Sequence, residues 1–302
     1  MMKTGFYTIL FLLASMFATN LKAQTDVIFS NSRMNADVFN PALIEDNEKI
    51  NLRFMVRRQW VGFPDAPEAE QLSIATFFTD LNMGLKFSLV NQSLGKEVLQ
   101  RMNLSYAYRI YFAENISLNM GLSAGMYQRG MLFSKLIFQD GTEPLQRPDE
   151  NYLRPDFEFG LHLAAKGFTA GYAANHITTK TRDASIAYIP LHQHFYADYS
   201  FSLSPEFILR TGGSVHHQGA VTYFQADAQL ISQSIQAGIG WRHKDAFIIK
   251  AGLIITENLS IDYSYDMGIN TFANYNSGSH EISIRIKFNK SSKTYLSPRF
   301  MD

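Results

Sequence analysis

Histidines, carboxylates and basic residues are the side chains here that could do chemistry, since cysteine is absent. That absence removes disulfide frames, thiolate metal sites, thiol nucleophiles and lipid attachment at an N-terminal cysteine. Two histidine pairs invite a metal reading, His192-x-His194 and His216-His217. Two ligands do not make a site, and no carboxylate stands at a convincing spacing from them. Both pairs fall near expected loops, so the reading is exposed histidines, with no metal and no cofactor. Glu158 and His162 share a strand face but lie four residues apart, about 13 Å along a strand. His280 and Glu281 are neighbours, and neighbours on a strand point to opposite faces. No Gly-x-Ser-x-Gly element and no Asp–His set with a nucleophile is present, so no catalytic residues and no enzyme are expected.

The elements that must carry these residues repeat with period two. In Arg101 to Phe112 the apolar set is Met102, Leu104, Tyr106, Tyr108, Ile110 and Phe112, alternating with Asn103, Ser105, Ala107 and Arg109. Glu114 and Asn115 make a tight turn, and Ile116 to Met126 repeats the alternation. Continued along the chain, this pattern predicts fourteen strands, most about 9–11 residues long, the length of a tilted membrane-spanning strand. Short turns are expected after every even-numbered strand: around Asp80, Glu114, Lys166–Gly167, Ser204–Pro205, Ser232 and Glu257–Asn258. Most other connections are longer, with the one near Lys244–Asp245 an exception. Short turns at one end and long loops at the other describe an all-β, up-and-down transmembrane barrel with periplasmic turns and surface loops. Alternation alone also fits a soluble β-sandwich.

Net charge is zero, with 27 basic and 27 acidic residues, which offers nothing to a nucleic acid. Mean hydropathy is only −0.12. No run after the N-terminus is long enough for a membrane helix. At the N-terminus, Lys3 and the apolar run Phe6 to Phe17 read as a secretory signal, with cleavage after Ala23. The expected organisation is a signal peptide at 1–23, a periplasmic segment at 24–47, the barrel at 48–288 and a tail at 289–302.

One face of the strands is apolar and suits lipid. The other holds glycines with Arg53, Lys86, Arg109, Asp198, Asp227, Lys250, Asp262 and Arg285. Isolated charges inside a narrow barrel are costly, so these are expected to pair with one another, or with Glu281, as a lumen network. A selective pore would want a ring of one sign, and none is seen. Trp60 and Trp241 fall near the loop ends of their strands, where an interface girdle of aromatics belongs. Arg58 shares parity with the lipid-facing set and is expected at headgroup level, against phosphate or a loop carboxylate. The stretch Arg129 to Arg154 is too apolar for a free surface loop, so it should pack on the barrel wall or a neighbour; whether it fills the lumen is open.

The motifs have a familiar order. Asn40-Pro41-Ala42 precedes the first strand, followed by Arg57-Arg58-Gln59-Trp60-Val61-Gly62-Phe63 and Ala66-Pro67. Then come Gly84 with Ser88, Asn91 and Gly95, Tyr106-Ala107-Tyr108-Arg109, Leu122-Ser123-Ala124-Gly125 and Pro155-Asp156-Phe157. Tyr263-Ser264-Tyr265-Asp266 and Ser277-Gly278-Ser279-His280-Glu281-Ile282 close the series. From about Asn40 to Phe288 the chain resembles the PorP/SprF family of type IX secretion membrane proteins of Bacteroidetes. The stretch Gln24 to Phe39 lacks the Gln- and Tyr-rich run usual before the Asn-Pro.

The resemblance implies a non-enzymatic outer-membrane component of type IX secretion, in some members of gliding motility, that anchors or supports export and surface attachment of cargo. Implied partners are outer-membrane lipid, a peptidoglycan-binding periplasmic protein or the ring of the machine, and in some members a large surface adhesin. It marks Asn40, Pro41, Arg58, Gln59, Trp60, Asn91, Gly95, Tyr265, Asp266, Ser279, His280 and Glu281 as structural or partner-binding. Barrel architecture alone leaves two other readings, a nutrient-uptake porin and a purely structural link to the cell wall.

Overall fold

A computed structural model of the chain describes residues 26–31, 36–45, 49–136, 148–177, 189–219 and 221–289. The expected signal peptide lies outside the described residues, as does all of the C-terminal tail but Asn289. The strands are β1 (Lys49–Arg58), β2 (Glu68–Phe78), β3 (Met83–Leu94), β4 (Glu97–Ala113) and β5 (Ile116–Met131). They continue with β6 (Glu150–Ala165), β7 (Phe168–Asn175), β8 (His192–Ser202), β9 (Ile208–Gln218) and β10 (Val221–Ile231). The last four are β11 (Ile235–Arg242), β12 (Ala246–Thr256), β13 (Leu259–Gly268) and β14 (Ser279–Asn289). Every strand pairs antiparallel with its sequence neighbours, and β14 returns to β1, so the sheet is a closed barrel with no free edge.

The barrel is inside out. Along β4 the buried positions are Leu99, Arg101, Asn103, Ser105 and Ala107, while Met102, Leu104, Tyr106 and Tyr108 face outward. Leu122 is 62% exposed and Ile239 66%. An apolar belt around a polar interior is stable only where lipid replaces water, which excludes the soluble sandwich. No helix is long and apolar enough to cross a membrane; strands do the crossing here.

The six turns after even-numbered strands are short, as expected. At the other end the connections are less uniform. Those after β1, β5, β7 and β13 are long, but β3–β4 turns through Gly95-Lys96, and the β9–β10 and β11–β12 connections are also tight. Gly95 takes φ +62°, the left-handed conformation such a two-residue turn requires. Of the stretch 129–154, residues 129–131 end β5 and 150–154 begin β6. Within it Ser134 donates to Asp149, and the Leu132 N–H donates to the Lys96 carbonyl on the neighbouring turn. Residues 137–147 of that loop lie outside the described residues.

Candidate functional site

The lumen is occupied by the chain's own N-terminal segment. Residues 26–31 lie at the long-loop end and 36–45 run toward the turn end, where β1 begins. The segment reaches Arg101 on β4 and Arg242 on β11, strands on opposite sides of the ring. A position wholly on the periplasmic side was expected for 24–47; the described part is instead inside the barrel. The reason is electrostatic and steric. Arg53 and Arg285 face each other across β1 and β14 while Gly121 and Gly160 leave space, and this segment brings Asp37 and Glu45 to the first and Asn40 to Ala42 to the second.

At the outer end Ser30 is the hub. Its Oγ donates to Asp266 at 2.5 Å and accepts from Arg57 Nη1 at 2.6 Å and Arg242 Nη2 at 3.0 Å. That uses the hydroxyl's one donor and both acceptor sites. Its N–H donates to Glu281 at 2.7 Å, and its carbonyl accepts from Gln225 at 2.9 Å. Asn31 N–H reaches the other Glu281 oxygen at 3.2 Å. Arg57 also grips Asp266 at 2.8 Å and Glu281 at 3.3 Å, while Arg242 grips Asp266 at 3.2 Å. Both arginines are almost wholly buried. Arg242 also meets Asp245 at 3.0 Å, so every charge at this end has an opposite partner where solvation is poor.

Next to this hub, Asp26 meets Arg101 at 3.5 Å, His176 at 3.2 Å and His192 at 3.4 Å. His176 turns its other nitrogen to Asp156 at 3.1 Å. Burial alone would raise the Asp26 pKa, but the imidazoles of His192 and His176 outweigh it and hold the carboxyl well below its usual range. For His176, burial works downward, yet Asp26 and Asp156 carry the ring up to about 9. The histidines expected to be exposed near loops are thus buried. His194 and His216 approach at 2.6 Å through their Nδ1 atoms, and Phe39 stacks on His194 with ring centroids 4.7 Å apart. Only His217 of the two pairs keeps partial exposure.

In mid-lumen the Asn-Pro-Ala motif explains itself. Asn40 accepts from the Ala42 N–H at 2.9 Å, closing an Asx turn, and donates to the Leu161 carbonyl at 3.0 Å and Tyr196 at 3.2 Å. Asn119 donates to the Ala42 carbonyl at 3.1 Å. Gly121 and Gly160 sit opposite each other on β5 and β6. A Cβ on Gly121 would lie 2.3 Å from Ala42 N, and one on Gly160 would lie 2.1 Å from Asn40 Oδ1. These glycines are gaps that the strap fills. Below them Ile44 packs with Phe77 and Ala107.

At the turn end the register places Arg53 directly opposite Arg285, a repulsive pair. Glu45 bridges them, 3.3 Å from Arg285 and 3.7 Å from Arg53, and also meets Lys287 at 3.4 Å. Asp37 pairs with Arg53 as well, and Lys86 donates to the backbone carbonyls of Asp37 and Asn40. Burial raises the Glu45 pKa, but the three cations Arg285, Arg53 and Lys287 together lower it below the ordinary value.

The expected strand-to-strand charge network is therefore mostly replaced. Lys250–Asp227 is the pair formed within it among the described residues. Arg53, Lys86 and Arg285 turn to the N-terminal segment. Asp198 meets Arg210 at 3.8 Å and accepts from Thr169, Asp262 accepts from Ser283, and Arg109 donates to Asn119 and lies 4.3 Å over the Phe77 ring. Of the face read as lining a wet or salt-bridged lumen, Lys250 and Asp227 do pair across strands, while Arg53, Lys86, Arg285, Gly121 and Gly160 face the N-terminal segment.

The motif residues divide by place. Asp266, Ser279 and Glu281 gather at the outer hub, with Ser279 accepting the Trp60 N–H at 3.2 Å. Gln59 is buried beside them. His280 points outward, its Nδ1 2.7 Å from the Tyr263 hydroxyl, so it and Glu281 do face apart. Tyr265 donates to the Ser277 carbonyl. Arg58 is exposed and lies 3.6 Å from Glu68, a carboxylate at the start of β2. Asn91 accepts from Gln100 on the outer face, away from the hub. Trp241 lies on the outer face, 41% exposed. Trp60 has φ +46° just past β1 and is half-buried edge-on against Phe272. Sequence reasoning passed over Arg57, Arg101 and Arg242 as lumen charges, although parity with Arg53, Asn103 and Gly240 puts them on that face. Asp26, Asp37 and Glu45 carry no such periodic signal.

A closed antiparallel barrel, apolar outside and polar inside, defines an outer-membrane protein. The chain belongs to the type IX secretion system membrane protein PorP/SprF family, whose family model matches residues 21–286. No curated protein matches it. Among solved structures it is similar to the KdgM porin, with 7% identity over 80% of this chain and 99% of that one and a TM-score of 0.41. Omp33 of Acinetobacter baumannii gives 6% identity over 80% and 97% of the two chains, with a TM-score of 0.46. A FadL homologue of Pseudomonas aeruginosa gives 11% over 83% and 92%, with a TM-score of 0.45.

Proposed function

We propose that this barrel is a non-enzymatic accessory of type IX secretion that anchors or supports export and surface attachment of cargo, and is not the conduit itself. The observation that carries this reading is the luminal segment. A chain that touches opposite walls and fills the space over Gly121 and Gly160 obstructs the lumen, which fits a post through the membrane better than an open path. A post suits anchorage, because force applied to it reaches fourteen paired strands at once. With residues 26–31 drawn to the outer end, the short turns become the face offered to a periplasmic ring or a peptidoglycan-binding partner. The long connections at the opposite end are the face for a surface adhesin. Type IX cargo is expected to leave the surface proteome when the gene is deleted, and to return with the intact gene. Unchanged export would overturn the proposal. A stable single-channel conductance from the purified barrel in planar bilayers would favour the uptake-porin reading instead.

A further inference from the structure

We propose that Asp26, His176 and His192 form a site for one divalent transition-metal ion of the zinc class at the outer end of the lumen. Each offers one ligand atom, and the three atoms lie within 4.8 Å of one another. Asp26 Oδ2 is 3.2 Å from His176 Nε2 and 3.4 Å from His192 Nδ1. Hydrogen bonds between ionised partners settle at about 2.7–2.9 Å. Ligands about 2.0–2.2 Å from a tetrahedral zinc stand about 3.3–3.6 Å apart, which these separations approach. Two imidazoles and a carboxylate are a donor set that zinc accepts, with a fourth position for water.

The surroundings fit a cation. His176 is fixed by Asp156, 3.1 Å from its Nδ1, which aims Nε2 at the centre and is the usual outer partner of a ligating imidazole. The groups facing the site are the carboxylates Asp26, Asp156 and Glu158 and the guanidinium of Arg101. Arg101 lies 3.5 Å from Asp26 and 3.4 Å from Glu158. Both histidine rings are wholly buried, and Tyr127 closes on His176 edge-on at 5.8 Å. The ion would join the N-terminal segment, the end of β7 and the start of β8, chain regions about 150 residues apart.

The test uses the full barrel, without a histidine tag, purified in detergent and stripped with chelator. Titrated with zinc, it should retain one equivalent through gel filtration by elemental analysis, and cobalt should give the intense visible absorption of a tetrahedral site. Zinc should also raise the temperature at which the folded barrel loses its compact migration in SDS gels. Asp26→Asn and His176→Gln should lose the retained ion, whereas His243→Ala should keep it. Asp156→Asn, with all three ligands intact, should weaken binding about 10–100-fold. A parent barrel that is folded by gel migration yet retains no zinc overturns the proposal without recourse to any variant. Retention unchanged in both Asp26→Asn and His176→Gln overturns it too.

Discussion

Residues 26–31 and 36–45 belong to one segment and share one lumen, yet different physics holds them. At the outer end the contacts are ionic and convergent: one serine hydroxyl, two buried arginines and two buried carboxylates. In mid-lumen they are steric and local, a turn closed by Asn40 and seated where two facing glycines leave no side chain. A convergent charge cluster fails as a unit when one member is lost, because the remainder is left unpaired in a poor solvent. A steric fit fails by degrees, according to how far the neighbours can move. The outer end is thus the better place for a switch and the middle the better place for a fixed anchor.

The largest expected effect is Arg57→Ala, which removes the guanidinium 3.3 Å from Glu281 and leaves Asp266 with Arg242. A loss of about 3–5 kcal/mol is expected for breaking a buried pair, read as a lower urea midpoint in detergent. Pairing Arg57→Met with Glu281→Gln, whose amide oxygen can still accept the Ser30 N–H, should recover part of it; a double variant no better than Arg57→Ala would show that shape, not charge, governs this end. Gly160→Val tests the steric end. It should cost about 1–3 kcal/mol by overpacking and should expose a cysteine placed at Ala42 to a thiol reagent, with strand pairing intact by circular dichroism. Equal protection of that cysteine in parent and variant would contradict a seated strap.

Asn40→Ala should cost about 1–3 kcal/mol by leaving buried donors and acceptors unmet, again by urea midpoint. Glu45 gives the pH dependence. Its folded pKa lies below its ordinary value of 4.5. Its contribution should therefore be complete above about pH 4.5 and fall away as acid protonates it in the folded barrel. Because Glu45 is about a third exposed, Glu45→Gln should cost only about 1 kcal/mol and flatten that acid arm. Arg58→Ala should change stability by no more than about 1 kcal/mol, since its pair with Glu68 is open to solvent. A large effect there would mean that the outer-face pair is lipid-coupled.

Much of the wall was legible. Period two gave Met102 to Phe112 and Ile116 to Met126 their faces, because a strand offers only two, and polar Glu114-Asn115 gave the turn between them. Parity likewise separated His280 from Glu281. The strap was not legible. Residues 26–45 show no period, and their partners stand far off in sequence: Ser30 with Glu281, Asn40 with Tyr196. The histidine pairs misled for the same reason, since what buries His194 and His216 is Phe39, a residue of that strap.

The sequence by itself determined the strand number, the lipid face, the short-turn end and the family. All of these follow from local alternation, composition and motif order. Only the tertiary structure decided what fills the lumen and which charges are partners. Those depend on ring closure, which sets Arg53 against Arg285 and brings β4 within one short segment's reach of β11, and ring closure leaves no periodic mark on the residues it brings together.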